Sequence, residues 1–78
     1  MAEHLRNISL SKYRKFLEHV GCKITRTKGG HEHWTRSDLN RPLTLQSHIS
    51  PVPEFIIKQH LRHMEMDKKK CLEILRTL

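Results

Sequence analysis

The sequence predicts an α+β fold with the element order α-β-β-β-α and a short extra helix at the C-terminal end. Three observations carry that prediction. Apolar residues recur at three- and four-residue spacing over residues 10–20 and again after Pro53, which is one face of a helix each time. Between these stretches lie three short runs in which apolar or β-branched residues alternate with polar ones, separated by turn chemistry. Two prolines in three residues, Pro51 and Pro53, then close the strand region.

Residues 1–8 read as an irregular lead-in. The first helix is predicted over about 10–20, with Leu10, Tyr13, Phe16, Leu17 and Val20 on one face. Ser9 or Ser11 is placed to act as N-cap, and Gly21 suits the left-handed position just past a helix end. Strands follow at about 22–28, 31–36 and 42–47. Gly29-Gly30 is a turn signal between the first two, Ser37-Asp38-Leu39-Asn40-Arg41 carries turn chemistry before the third, and Pro42 opens it. Three short strands joined in this way read as an antiparallel meander.

A second helix is predicted over about 53–64, with Phe55, Ile56, Ile57, Leu61 and Met64 as its apolar face and Glu54 in its first turn, where a negative charge suits the helix dipole. Asp67 is a plausible N-cap for a third helix over about 67–77, striped by Cys71, Leu72, Leu75 and Leu78. Lys68, Lys69 and Lys70 fall in its first turn, which the dipole disfavours; a solvated lysine run accounts for them. Two helices can cover one face of a three-stranded sheet and leave the other free.

At 78 residues the chain holds one domain. Its 36% hydrophobic content makes a thin core, so a bound partner is expected to add to stability. Two cysteines, Cys22 and Cys71, do not make a disulfide framework. No apolar run approaches the ~20 residues of a membrane span, and Met1 to Arg6 lack the pattern of a signal peptide. A soluble, reduced, cytoplasmic protein is expected. Fifteen Lys and Arg against eight Asp and Glu leave a net charge of +7 at pH 7. That charge calls for an anionic partner, either nucleic acid or an acidic protein.

The seven histidines do not have metal-ligand spacing. There is no Cys-x-x-Cys and no His-Glu-x-x-His, and the pairs His31/His33 and His60/His63 offer two ligands each where a zinc site needs three or four. Both cysteines read as small buried hydrophobes. Phosphate-loop and dinucleotide motifs are absent, and no cofactor is expected. The constellation that remains is Lys28-Gly29-Gly30-His31. The glycines allow a tight turn and the close approach of an anionic backbone, Arg26 and Lys28 lie on one side, and Arg36 follows on the next strand. Imidazole titrates near pH ~6.5, so a histidine there can exchange a proton near neutrality. RNA cleavage by transesterification needs such a group beside cations. From spacing alone, a surface turn histidine is the simpler reading of His31.

The run Phe16-Leu17-Glu18-His19-Val20-Gly21-Cys22, followed by Thr27-Lys28-Gly29-Gly30-His31, resembles the HicA (YcfA-like) toxins, small mRNA interferases of type II toxin–antitoxin modules. Trp34, Asp38, Pro42-Leu43-Thr44-Leu45, His48, Pro53 and the run Ile56 to Leu61 continue the likeness, which spans roughly residues 9 to 77. The resemblance implies a double-stranded-RNA-binding-domain-like fold and metal-independent endoribonuclease activity. It implies His31 as the general acid/base and mRNA as substrate. It also implies neutralisation by a HicB-like antitoxin in a hetero-oligomer, with no membrane partner. Lys28 and Arg26 become the first candidates for phosphate contact, then Lys23 and Arg36, with Gly29 and Gly30 shaping the approach.

The chain departs from the family pattern at three single positions and in its tail, the run Met64 to Leu78 being longer and more basic than is typical. Gly30 replaces the commoner serine, His33 replaces an aliphatic residue, and Glu65 stands where a helix-ending glycine is usual. Pro53-Glu54-Phe55 also lacks the lysine cluster with which duplex-reading domains start their second helix, so single-stranded or locally structured RNA is the expected substrate. A non-catalytic RNA-binding module is the alternative that composition and fold also satisfy.

Overall fold

The structure is a computed structural model that describes residues 5–78. The lead-in is therefore seen from Leu5 onward, and Met1 to His4, with the start of the segment compared above with signal peptides, lie outside the described residues. The elements are α1 (Leu10–His19), β1 (Lys23–Lys28), β2 (His31–Thr35), β3 (Leu43–Gln46), α2 (Glu54–His63) and α3 (Lys68–Thr77). The strands form one antiparallel sheet in the order β1-β2-β3. The predicted order and all six elements are present, with ends trimmed by a residue or so. No helix among the described residues is long and apolar enough to cross a membrane.

Local chemistry sets the helix ends. Ser9, rather than Ser11, caps α1, its Oγ accepting from the Lys12 N–H at 3.1 Å. Ser50 Oγ accepts from the Leu10 N–H at 3.0 Å and so satisfies a second orphan donor from forty residues away. At the other end Gly21 takes φ +94°. Cys22 N donates to Leu17 O and Gly21 N to Glu18 O, the paired bonds of a Schellman cap. The same cap closes α2, with Met66 N on Leu61 O and Glu65 N on Arg62 O. There the left-handed residue is Glu65, at φ +53°. Asp67 caps α3 by accepting from Lys70 N at 2.8 Å, and Lys68, Lys69 and Lys70 are exposed.

The core lies between the three helices and the inner face of β2 and β3. Glu32 and Trp34 of β2 and Leu43 and Leu45 of β3 are buried, while the residues between them are half-buried or exposed. Tyr13, Phe16 and Leu17 face them from α1, Ile57 and Leu61 from α2, and Cys71 and Leu75 from α3. β1 departs from the expectation that one whole sheet face is covered. Every one of its residues is exposed, Ile24 included. The helices span two strands, and β1 stands beyond them as an edge guarded by Lys23, Arg26 and Lys28, which discourages pairing with other chains.

Other placements also correct the sequence reading. Leu5 and Ile8, expected in a loose lead-in, are core residues, and Val52 N pins this segment by donating to Ile8 O at 2.9 Å. Phe55, expected on the apolar face of α2, is 70% exposed. At 3.6 residues per turn it sits about 200° round the helix from buried Ile57. Leu78, expected in the stripe of α3, is exposed just past its end, and Leu72 is half-buried.

Candidate functional site

The site begins with the β1–β2 turn. Gly29 and Gly30 have φ of +58° and +79°, the two positive values that a type I′ hairpin turn requires and that glycine supplies without strain. Lys28 and His31 are therefore a directly opposed pair, and His31 is in turn opposed to Gln46 of β3. Opposed residues of an antiparallel ladder point to the same side. Glu32 and Trp34 point to the core, so the row Lys28–His31–Gln46 lies on the outer face.

The next row is Arg26–His33–Thr44, and beyond it Lys23 is opposed to Thr35. Lys23 and Arg26 are three residues apart and in a regular strand would lie on opposite faces. They share one here because the register shifts between Ile24 and Arg26. The extra residue, Thr25, forms a bulge that turns the strand over by one step, and its Oγ1 donates to His33 O at 3.2 Å. The bulge thus brings Lys23, Arg26 and Lys28 onto the face that carries His31 and His33. The one carboxylate in the three strands, Glu32, points inward.

That inward carboxylate fixes the strand. Arg14 of α1 donates to both Glu32 oxygens, and Trp34 Nε1–H donates to one of them at 3.1 Å. Glu32 is buried, yet the Arg14 guanidinium and then the indole N–H hold its carboxyl below the ordinary value against the opposing effect of burial. The residue before it, His31, is carried on a backbone clamped to α1.

The other side of the turn is fixed by β3. Ser47 donates to Gly30 O through both its N–H (2.8 Å) and its Oγ (3.0 Å). His48 is exposed and packs its ring against Gly30. This histidine stands beside the turn that carries His31.

A groove of about 390 Å³ runs from His31 between the free edge of β3 and α2. Phe55, Ile56, Gln59 and His63 form its helical wall, Arg41 closes its far end, and no Asp or Glu lines it. Beneath it lies His60, buried at 3% exposure. Its Nε2 is 2.9 Å from Thr44 O and its Nδ1 2.7 Å from the Tyr13 hydroxyl. A carbonyl can only accept, so Nε2 carries the hydrogen and Tyr13 donates to Nδ1. Burial, partly offset by Thr44 O and reinforced by His63, lowers the His60 pKa to about 4. Burial likewise pushes the Tyr13 phenol upward.

Arg36 is not brought to the basic face. It follows the far end of β2, where Nε and Nη2 donate to Asp38 at 2.6 and 2.9 Å and Nη1 donates to Val20 O at 3.0 Å. It serves the C-terminus of α1, where a cation suits the dipole. Cys22 and Cys71 are buried, and burial raises both thiols, Cys71 to about 11. They lack the thiolate character that reactivity needs. Among the described residues no three His, Cys, Asp or Glu side chains gather as metal ligands.

Sequence reading missed the bulge, the groove and His60. Only His60 left a signal: it shares the inward spacing of Ile57, Leu61 and Met64. Comparisons with protein-family models, with curated proteins and with solved structures find no match for this chain.

Proposed function

We propose that this chain is a HicA-like toxin, a metal-independent endoribonuclease that cleaves mRNA in the cytoplasm and so arrests translation, with His31 as general acid/base. The observation that carries the reading is the outer-face row Lys28–His31–Gln46, with Arg26 and Lys23 aligned behind Lys28 by the bulge. An RNA backbone laid on β1 meets three cations and then an imidazole. The dsRBD-like resemblance of the α-β-β-β-α portion is part of the same reading.

In this mechanism His31 takes the proton of a ribose 2′-hydroxyl. The 2′-oxygen attacks the adjacent phosphorus, the bond from phosphorus to the 5′-oxygen breaks, and a 2′,3′-cyclic phosphate forms. Lys28 and Arg26 stabilise the charge that builds on the phosphoryl oxygens. The departing 5′-oxygen takes its proton from His33 or His48 in protonated form, the other imidazoles at this end of the sheet. Gly29 and Gly30 keep the turn free of side chains that would hold the backbone away.

A HicB-like antitoxin neutralises the protein by covering His31 and the cations beside it, in a hetero-oligomer. Digestion of RNA by purified protein in the presence of EDTA tests the enzyme reading. Wild-type protein cleaves and His31→Ala does not. Equal cleavage by the two would remove His31 from the mechanism, and salt-dependent RNA binding without scission by either would make the chain a non-catalytic RNA-binding module.

A further inference from the structure

We infer that the groove between β3 and α2 is a subsite for one unpaired nucleobase of a single-stranded RNA, with the Phe55 ring as its stacking platform. The inference rests on the RNA reading above and specifies which part of the RNA the protein grips besides phosphate.

Phe55 is anomalously placed for its residue type. A phenylalanine is normally buried, and this one is 70% exposed on an otherwise well-packed helix. It lies outside the packed core, so packing does not explain it. It lies on the groove wall with Gln59 and His63, at positions four residues apart and therefore stacked along one side of α2.

The groove fits a base better than it fits an apolar peptide. Its lining is largely aliphatic (Leu43, Leu45, Ile49, Val52, Ile56). To this Phe55 adds one aromatic face, and Gln46, Gln59 and Thr44 add amide and hydroxyl groups that can donate to and accept from a base edge. Arg41 at one end and His31 at the other, with no carboxylate between them, make the lining complementary to a polyanion. The free edge of β3 is a poor template for an added peptide strand, because His60 already occupies Thr44 O. Continuity identifies the occupant: His31 belongs both to the basic outer face and to the groove. A nucleotide with its phosphate at His31 has its base directed along β3 toward Phe55. Stacking of unpaired bases on aromatic side chains is the usual mode by which proteins hold single-stranded RNA.

The test uses the full chain and a short 2′-O-methyl RNA, which binds but cannot be cleaved by transesterification. Phe55→Ala weakens binding roughly 5- to 150-fold, the range expected for removing one stacked base. Phe55→Trp retains affinity, and its new indole is quenched on binding; the native Trp34 is buried, so its emission is a background that binding does not change. Thermal melts of both variants match wild type, because the ring is exposed. Undiminished binding by Phe55→Ala overturns the inference. So does a Phe55→Ala defect confined to a protein partner with RNA affinity intact, which would make the groove a docking site for that protein. Scission of unmodified RNA is scored separately: Phe55-dependent binding without scission refutes the enzyme and leaves the subsite.

Discussion

The His48 imidazole fills the space that a side chain on Gly30 would enter: a Cβ built there lies 3.2 Å from Nδ1 and 3.4 Å from Cε1. The turn that carries His31 thus lies close against His48 because residue 30 has no side chain. Gly30→Ser crowds the imidazole and also places a non-glycine residue at φ +79°. The backbone part alone costs about 1–2 kcal/mol, a fall of several degrees in Tm for a domain of this size. Adding His48→Ala to Gly30→Ser relieves the crowding and leaves the backbone part. Melting curves of the single and double variants separate the two.

The Tyr13–His60–Thr44 chain gives stability a defined pH dependence. The folded pKa of His60 is lowered to about 4, whereas an unfolded histidine titrates near ~6.5. Between these values the unfolded chain binds the extra proton, so stability is full above about pH 6.5, declines as the pH falls toward 4, and levels off below that. The shift corresponds to about 3 kcal/mol. Urea midpoints measured across this range fall accordingly in wild type, and His60→Gln flattens the decline. Glu32, whose pKa is lowered by Arg14, contributes stability above its ordinary value that is lost only at still lower pH, so the two effects separate.

Glu65 holds the left-handed position of the α2 cap at φ +53°, where a glycine avoids the clash of Cβ with the following carbonyl. Glu65→Gly relieves that strain at a smaller cost in unfolded-chain entropy. The expected gain is about 0.5–1 kcal/mol, read as a higher Tm.

In the proposed RNA reading the three aligned cations act through counterion release. Replacing Lys28 or Arg26 with Ala weakens single-stranded RNA binding and flattens the plot of log affinity against log salt by about 0.7 for each phosphate no longer neutralised. Arg36→Ala leaves that slope unchanged and instead lowers Tm, since its guanidinium is engaged by Asp38 and Val20 O. Titrations at several salt concentrations distinguish the two kinds of arginine.

The features legible in the sequence are local ones. Ser9, Gly21 and Asp67 mark helix ends because the caps lie within a few residues of what they cap, and Gly29-Gly30 marks its turn for the same reason. The features that escape it are set by distant packing. Nothing in Lys23 to Lys28 announces a bulge, so the common face of Lys23 and Arg26 appears only once β1 is paired with β2. Arg36 reads as a cation near the turn because strand positions do not reveal that Asp38 and the end of α1 claim its guanidinium. Hydrophobicity assigns Phe55 to the core, although its angular offset from Ile57 already places it on the other side of the helix. Spacing groups His60 with His63, and only burial against Tyr13 and Thr44 separates them.

The chemical identity of the product ends decides whether His31 activates a 2′-oxygen. RNA incubated with the purified chain in EDTA is digested and the new termini are identified by mass spectrometry. Attack by a 2′-oxygen deprotonated at His31 leaves 2′,3′-cyclic phosphate and 5′-hydroxyl ends, and His31→Ala leaves the RNA intact. Termini bearing 3′-hydroxyl and 5′-phosphate, or ends of the expected kind that persist undiminished in His31→Ala, would contradict it.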